Sequence, residues 1–173
     1  MNGFNWNAAL FFERLVAANR FAAENGYRYH LVSGLEGFHG ALTNALKTLA
    51  FVCVSDTSDG LLELQNTPHA RRIKTVFMAR RVATADEQAR EAAFDNMREL
   101  FRQMMSVLML ERTRLREKCV YIDAQVSFKE IERYFYTNCA CAYFQIEVVT
   151  FSDISFNPEE WTDPDFINLY GNE

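Results

Sequence analysis

Hydrophobic and polar positions along this chain change period several times, and each change marks an element. The longest run of one period is Thr84 to Lys118, where Phe94, Met97, Phe101, Met104, Met105 and Leu108 recur at helical spacing and draw a single apolar face. Thr84 and Glu87 have the spacing of a capping box, Asp86 and Glu87 suit the positive end of the helix dipole, and Arg112, Arg114, Arg116 and Lys118 suit the negative end. A helix of that extent reaches roughly 50 Å, more than a small domain needs, so its far end is expected to project or fray. Before it, Trp6 to Asn25 carries Leu10, Phe11, Leu15, Ala18 and Phe21 or Ala22 on one helical face, closed by Asn25-Gly26. Ser33 and Glu36 open a second helix over Leu35 to Thr48, and Tyr27 to Val32 between the two is a short strand or an extended link.

From Ala50 the pattern alternates. Phe51 to Val54 reads as a strand, Asp56 to Gly60 as a turn, and Leu61 to Gln65 as the returning arm of a hairpin. After the break at Asn66 to His69, Ile73 to Val82 reads as a third strand, and the three together as a meander. Beyond the long helix, Val120 to Ile122 is a strand or linker, and Phe128 to Tyr136 fits either a strand or a helix turn, with strand favoured by its aromatic content and by Asn138 after it. Cys139 to Phe151 alternates throughout, with Ala142, Phe144, Ile146 and Val148 on one face and Tyr143, Gln145, Glu147 and Val149 on the other. The implied fold class is α+β: a small antiparallel sheet packed against one long helix, with additional N-terminal helices, as one domain over 1–154. Residues 155–173 read as an extended acidic and aromatic arm.

Composition narrows the function classes. The chain has 173 residues, 49% of them hydrophobic, enough for a real core. A net charge of −5 argues against general nucleic-acid binding. Fifteen phenylalanines and 14% aromatic residues overall favour subunit contacts. No apolar run has the length of a membrane span and Met1 to Leu15 lacks a secretion signal, so a cytosolic protein with Cys53, Cys119, Cys139 and Cys141 reduced is expected.

Candidate chemistry is sparse. Cys139 and Cys141, with Cys119 or a histidine, lack the second ligand pair of a zinc site and read as strand cysteines, so neither metal nor cofactor is expected. His30, His39 and His69 are far apart with no paired carboxylate, which leaves no triad to read. Glycines 34, 37 and 40 do not make a phosphate loop. The basic cluster Arg71, Arg72, Lys74, Arg80 and Arg81 is the strongest charge feature. Alternation places Arg72, Lys74 and Arg80 on one strand face, as a solvated face, a subunit salt bridge or a phosphate contact.

The element order from Ala50 to Phe151, with the helix from Thr84 to Lys118 and the hairpin through Tyr134, Asn138-Cys139-Ala140 and Tyr143 to Val149, resembles the small α+β proteins at the neck and tail of tailed bacteriophages, above all tail terminator and tail-completion subunits. The resemblance implies a virion structural protein, assembled in the host cytoplasm. It would be non-catalytic, forming a homo-oligomeric ring in contact with other virion proteins and not with membrane. Its interface candidates are Arg72, Lys74, Arg80, Asn138, Tyr143, Trp161, Phe166 and Tyr170. The alternative is a cytosolic enzyme or ligand-binding α+β domain whose site is assembled from residues far apart in sequence.

Overall fold

The computed structural model describes residues 6–32, 49–55, 59–64, 68–83, 86–131 and 138–162. Among them the chain forms a seven-stranded mixed sheet and three helices, one of 30 residues packed on the sheet, which is the expected α+β class. None of these helices is long and apolar enough to cross a membrane.

The first helical stretch is two helices and not one: α1 (Ala8–Ala18) and α2 (Arg20–Glu24). Asn19 separates them with an extended ψ of 118°, and its side chain does two jobs that a continuous helix would forbid. Its Oδ1 accepts the Ala22 N–H at 2.7 Å, capping α2, and its Nδ2 donates to Gln103 Oε1 at 2.9 Å. The buried face of α1 is Ala8, Phe12, Leu15 and Val16, rotated by about one residue from the expected stripe; Phe11 is only partly buried and Leu10 lies at the surface. The expected stop holds, with Gly26 in the left-handed region at φ +73°.

Strand β1 (Tyr27–Val32) pairs parallel to β2 (Ala50–Ser55), from Tyr27↔Ala50 to Val32↔Ser55, so the sheet is mixed and not purely antiparallel. A parallel neighbour requires a crossover; the chain between them, with the expected helix Leu35 to Thr48 and His39, lies outside the described residues. The expected meander is also corrected. β2 and β3 (Asp59–Glu63) do not pair with each other but follow one another along the same edge of β4 (His69–Arg81), Ala50↔Arg80 to Val54↔Val76 and then Asp59↔Ile73 to Glu63↔His69. Four residues separate Val54 from Asp59 where two separate Val76 from Ile73, so β2 and β3 are not the two arms of one hairpin; residues 56–58 lie outside the described residues. β3 and β4 are the antiparallel partners that follow one another in sequence, and residues 65–67 between them lie outside the described residues.

The long helix α3 (Glu87–Arg116) spans about 45 Å. Its cap is Asp86, whose Oδ1 accepts the Ala89 N–H at 2.8 Å, so the helix starts later than Thr84. Leu115 is fully buried and Cys119, at φ +56°, turns the chain back into β5 (Val120–Ile122), so the far end is packed and does not project. The expected stripe faces the core: Phe94, Met97, Met104 and Leu108 are buried, Phe101 and Met105 pack against them, and Ala93, Leu100 and Leu115 complete the face.

The strand read as Cys139 to Phe151 is β7 (Cys139–Phe151), the centre of the sheet. Along one edge it pairs with all thirteen residues of β4, and along the other with β6 (Ser127–Ile131) and β5. The strand reading of Phe128 to Tyr136 is realised as far as Ile131; 132–137 lie outside the described residues. Even-numbered β7 residues, with Val52 and Val54 of β2 and Val76 and Met78 of β4, face α1 and α3 in one core. Phe144 is at its middle, its ring 5.7 Å from Phe12 of α1 and 5.1 Å from Phe101 of α3.

Candidate assembly surfaces

With α1 and α3 on the even-numbered face, the odd-numbered face of the β4–β7 ladder is divided into three zones. Near the start of β7, Cys141, Ala79, Cys53, Phe51 and Val32 form a small second core. In the middle, Tyr143 lies between Phe77, at 5.6 Å between ring centroids, and Lys129, whose ammonium is 6.0 Å from the Tyr143 ring; Gln145 donates to Thr75 at 3.3 Å. At the far end three rows cross the strands: Asp59, Ile73 and Glu147; then Leu61, Arg71, Val149 and Tyr121; then Glu63, His69 and Phe151. Leu61, Tyr121 and Phe151 are exposed there, at 64%, 44% and 47%. Arg71 sits among them and reaches both Glu147 at 3.2 Å and Glu63 at 3.4 Å. β3 is exposed at all five residues and is an edge strand at this end.

Arg72, Lys74 and Arg80 share a face, as alternation requires, but it is the helix-bearing one. They are spread over roughly 27 Å of strand. Arg80 is turned inward, donating to the Asn25 carbonyl at 2.8 Å at the end of α2, and burial beside it raises the Tyr27 phenol to about 12 despite the guanidinium. Lys74 Nζ donates to the Ser55 carbonyl at 3.4 Å, and Arg72 is exposed near the other end. They do not form one basic patch. Asn138 is exposed at the entry to β7 and its carbonyl accepts the Val82 N–H at 3.1 Å. Trp161 is 51% exposed, 6.2 Å from Phe156 between ring centroids, after a 3-10 turn at Pro158–Glu160 capped by Asn157. Phe166 and Tyr170 lie outside the described residues.

The sequence reading placed Arg71 in its basic cluster and Leu61, Tyr121 and Phe151 in strands, but none of the four among its interface candidates. The available signal was their registration, which depends on β3 pairing with β4 and not with β2. Two hollows offer little chemistry. The cleft of about 480 Å³ between α1 and α3 is lined mainly by Trp6, Leu10, Phe11 and Val107, and its acid, Glu111, is already held by Arg114 at 2.6 Å and by Trp6 Nε1 at 3.2 Å. A smaller one, of about 210 Å³ beside Phe101 and Met105, carries only Arg112 and Asp123 as charged groups, and Arg112 donates to the Ile122 carbonyl at 2.9 Å. His30 on β1 and His69 on β4 sit on separate strands, each edge-on to a phenylalanine. No group of three His, Cys, Asp or Glu side chains suited to a metal ion occurs among the described residues. Comparison with protein-family models finds no match to this chain, and neither does comparison with curated proteins.

Proposed function

We propose that the chain is a structural, self-assembling subunit of a phage or phage-like particle, of the tail terminator or neck type, acting as a homo-oligomeric ring in contact with other virion proteins. The observation that carries this reading is the far end of the odd-numbered sheet face, where Leu61, Tyr121 and Phe151 are exposed beside the edge strand β3. The chain leaves β7 at that place with Ile154, Phe156 and Trp161 also exposed. Edge backbone next to apolar side chains is what strand addition and subunit packing use. A heterologous contact between this end and a different surface of the next copy closes into a ring when the rotation permits.

Light scattering at several concentrations, with electron microscopy, on full-length protein and on a variant lacking 155–173 tests the reading. The full chain is expected to form rings or to join particles. The truncated chain is expected to lose that assembly while keeping its melting temperature, because Ser155 to Thr162 adds nothing to the core. A full-length monomer that joins no particle, or one that turns over a small molecule, favours a ligand-binding or catalytic α+β domain instead.

A further inference from the structure

The cleft between α1 and α3 and the segment that follows β7 match each other in polarity and charge, and within one chain they do not meet. α1 buries Ala8, Phe12, Leu15 and Val16, which leaves Leu10 and Phe11 on the cleft side with Val107 of α3. Leu10 and Val107 are 39% and 42% exposed, so the cleft is an apolar opening, and its volume of about 480 Å³ lies in the range of clefts that enclose a drug-sized group. Its charge is positive. Glu111 and Arg114 neutralise one another at 2.6 Å, and Arg14 has no acidic partner among the described residues.

The segment after β7 is opposite in sign. From Asp153 to Thr162 it holds Asp153, Glu159 and Glu160 and no lysine, arginine or histidine. Phe156 and Trp161 are 47% and 51% exposed, with ring centroids 6.2 Å apart. The turn that carries them is held locally: Asn157 accepts the Glu159 N–H at 3.2 Å and Asp153 accepts the Ser155 N–H at 3.0 Å. Two rings already set on a capped turn lose little freedom on docking. The segment starts at the far end of the sheet, where the Ser152 N–H donates to the Pro68 carbonyl at 2.9 Å.

We infer that the Phe156–Trp161 pair of one copy occupies the α1–α3 cleft of the next. This rests on the assembly reading and names the second surface that such a contact needs. The same chain is not the occupant, because its cleft and its two rings are both open. The β3 end of the sheet, also apolar and exposed, has the wrong sign: Asp59, Glu63 and Glu147 outnumber Arg71 there and would repel Glu159 and Glu160. In the cleft the rings meet Leu10, Phe11 and Val107, and Arg14 faces the carboxylates at the rim, where opposite charge steers the encounter more than it adds affinity. The rings are the anchor, and Leu61, Tyr121 and Phe151 beside the root of the segment supply area that one anchor lacks.

The test is light scattering over a concentration series on the native chain and on full-length variants, with melting temperature as the folding control. Trp161→Ala disables the anchor and Val107→Glu places a carboxylate in the cleft. Both positions are exposed, so both variants should melt like the native chain, and Leu10→Glu takes the place of Val107→Glu if that one does not fold. Each should need roughly 30-fold more protein to assemble, the usual effect of truncating an anchoring tryptophan. Mixed, the two variants should associate again but stop at pairs, since one intact anchor and one intact cleft remain. Placed in one chain, Val107→Glu should add little to Trp161→Ala, because the group it excludes is already gone. Native assembly that either substitution leaves unchanged, or losses that multiply in the double variant, overturns the inference while assembly itself stands. A native chain that stays monomeric at every concentration also overturns it, and attachment to particles, seen by electron microscopy, then decides the assembly reading separately.

Discussion

Phe144 is the residue whose loss should be felt by every layer of the fold. It is fully buried on the central strand and its ring meets α1 through Phe12 and α3 through Phe101. Phe144→Ala removes the largest side chain of the β7 core face, and with helices packed on it from two directions the site cannot collapse around the void; the expected cost is about 3–5 kcal/mol. Phe101→Ala should cost less, because Phe101 is only half-buried and is backed by Phe128 at 4.7 Å. Arg102→Ala, one residue further along α3 and turned to solvent, should leave the midpoint unchanged. Urea denaturation followed by tryptophan fluorescence and circular dichroism gives the three values, with an unchanged m required before the midpoints are compared. A double-mutant cycle between Phe12→Leu and Phe144→Leu should return a coupling of about 0.5–1.5 kcal/mol, the usual worth of an edge-to-face aromatic pair. A cost below about 1 kcal/mol for Phe144→Ala, or equal shifts for Phe144→Ala and Phe101→Ala, would mean that α1 and α3 do not converge on this ring.

Asn19→Ala removes the cap of α2 and the bond to Gln103 together, so a loss of about 1–2 kcal/mol in urea midpoint analysis is expected, against almost none if the segment were one helix with Asn19 at its surface. Glu111 is held below the usual carboxylate range chiefly by the hydrogen bond from Arg114. Its contribution is therefore complete above its unfolded pKa of about 4.3 and is lost as pH falls through the depressed folded value. Glu111→Gln should lower the melting temperature near pH 7 and flatten its fall between pH 5 and pH 2, with the Trp6 fluorescence reporting the change locally through its bond to the carboxylate.

Where one residue type answers to one local force, the sequence was readable. Most of β7 was legible because a strand with one buried face must alternate, and it does so from Ala142 to Val149; only at its start, where Cys141 enters the second core, are both faces buried. The α3 stripe was legible for the same reason at helical period. Its start was misplaced because Thr84, Asp86 and Glu87 all carry capping chemistry, and only the packed position of the first turn selects Asp86. The break at Asn19 was hidden because apolar residues continue in period on both sides of it, and the decisive partner, Gln103, is 84 residues away. Strand order failed for a related reason. Asp56 to Gly60 and Asn66 to His69 both carry turn residues, and the choice between them rests on whether β2 can continue along β4 beyond Ser55, a question of long-range pairing.

Under the proposed assembly, the same strand order changes which basic residue would bear on the contact. Arg72, Lys74 and Arg80 are on the helix-bearing face of β4, and the ones that reach inward serve the subunit's own backbone carbonyls. Arg71, one position out of phase, lies on the opposite face in the row of Leu61, Val149 and Tyr121, with Glu63 and Glu147 in hydrogen-bonding reach. As an exposed cluster these pairs add little to folding. In an interface they matter differently: covering the row would desolvate charges that already have partners, a smaller penalty than covering an isolated guanidinium. Under the assembly reading, the acidic residues at the far end keep Arg71 compatible with a contact otherwise made by Leu61, Tyr121 and Phe151. They also fix the register of that contact, since a neighbour displaced by one row would set its apolar groups against Glu63 or Glu147 instead.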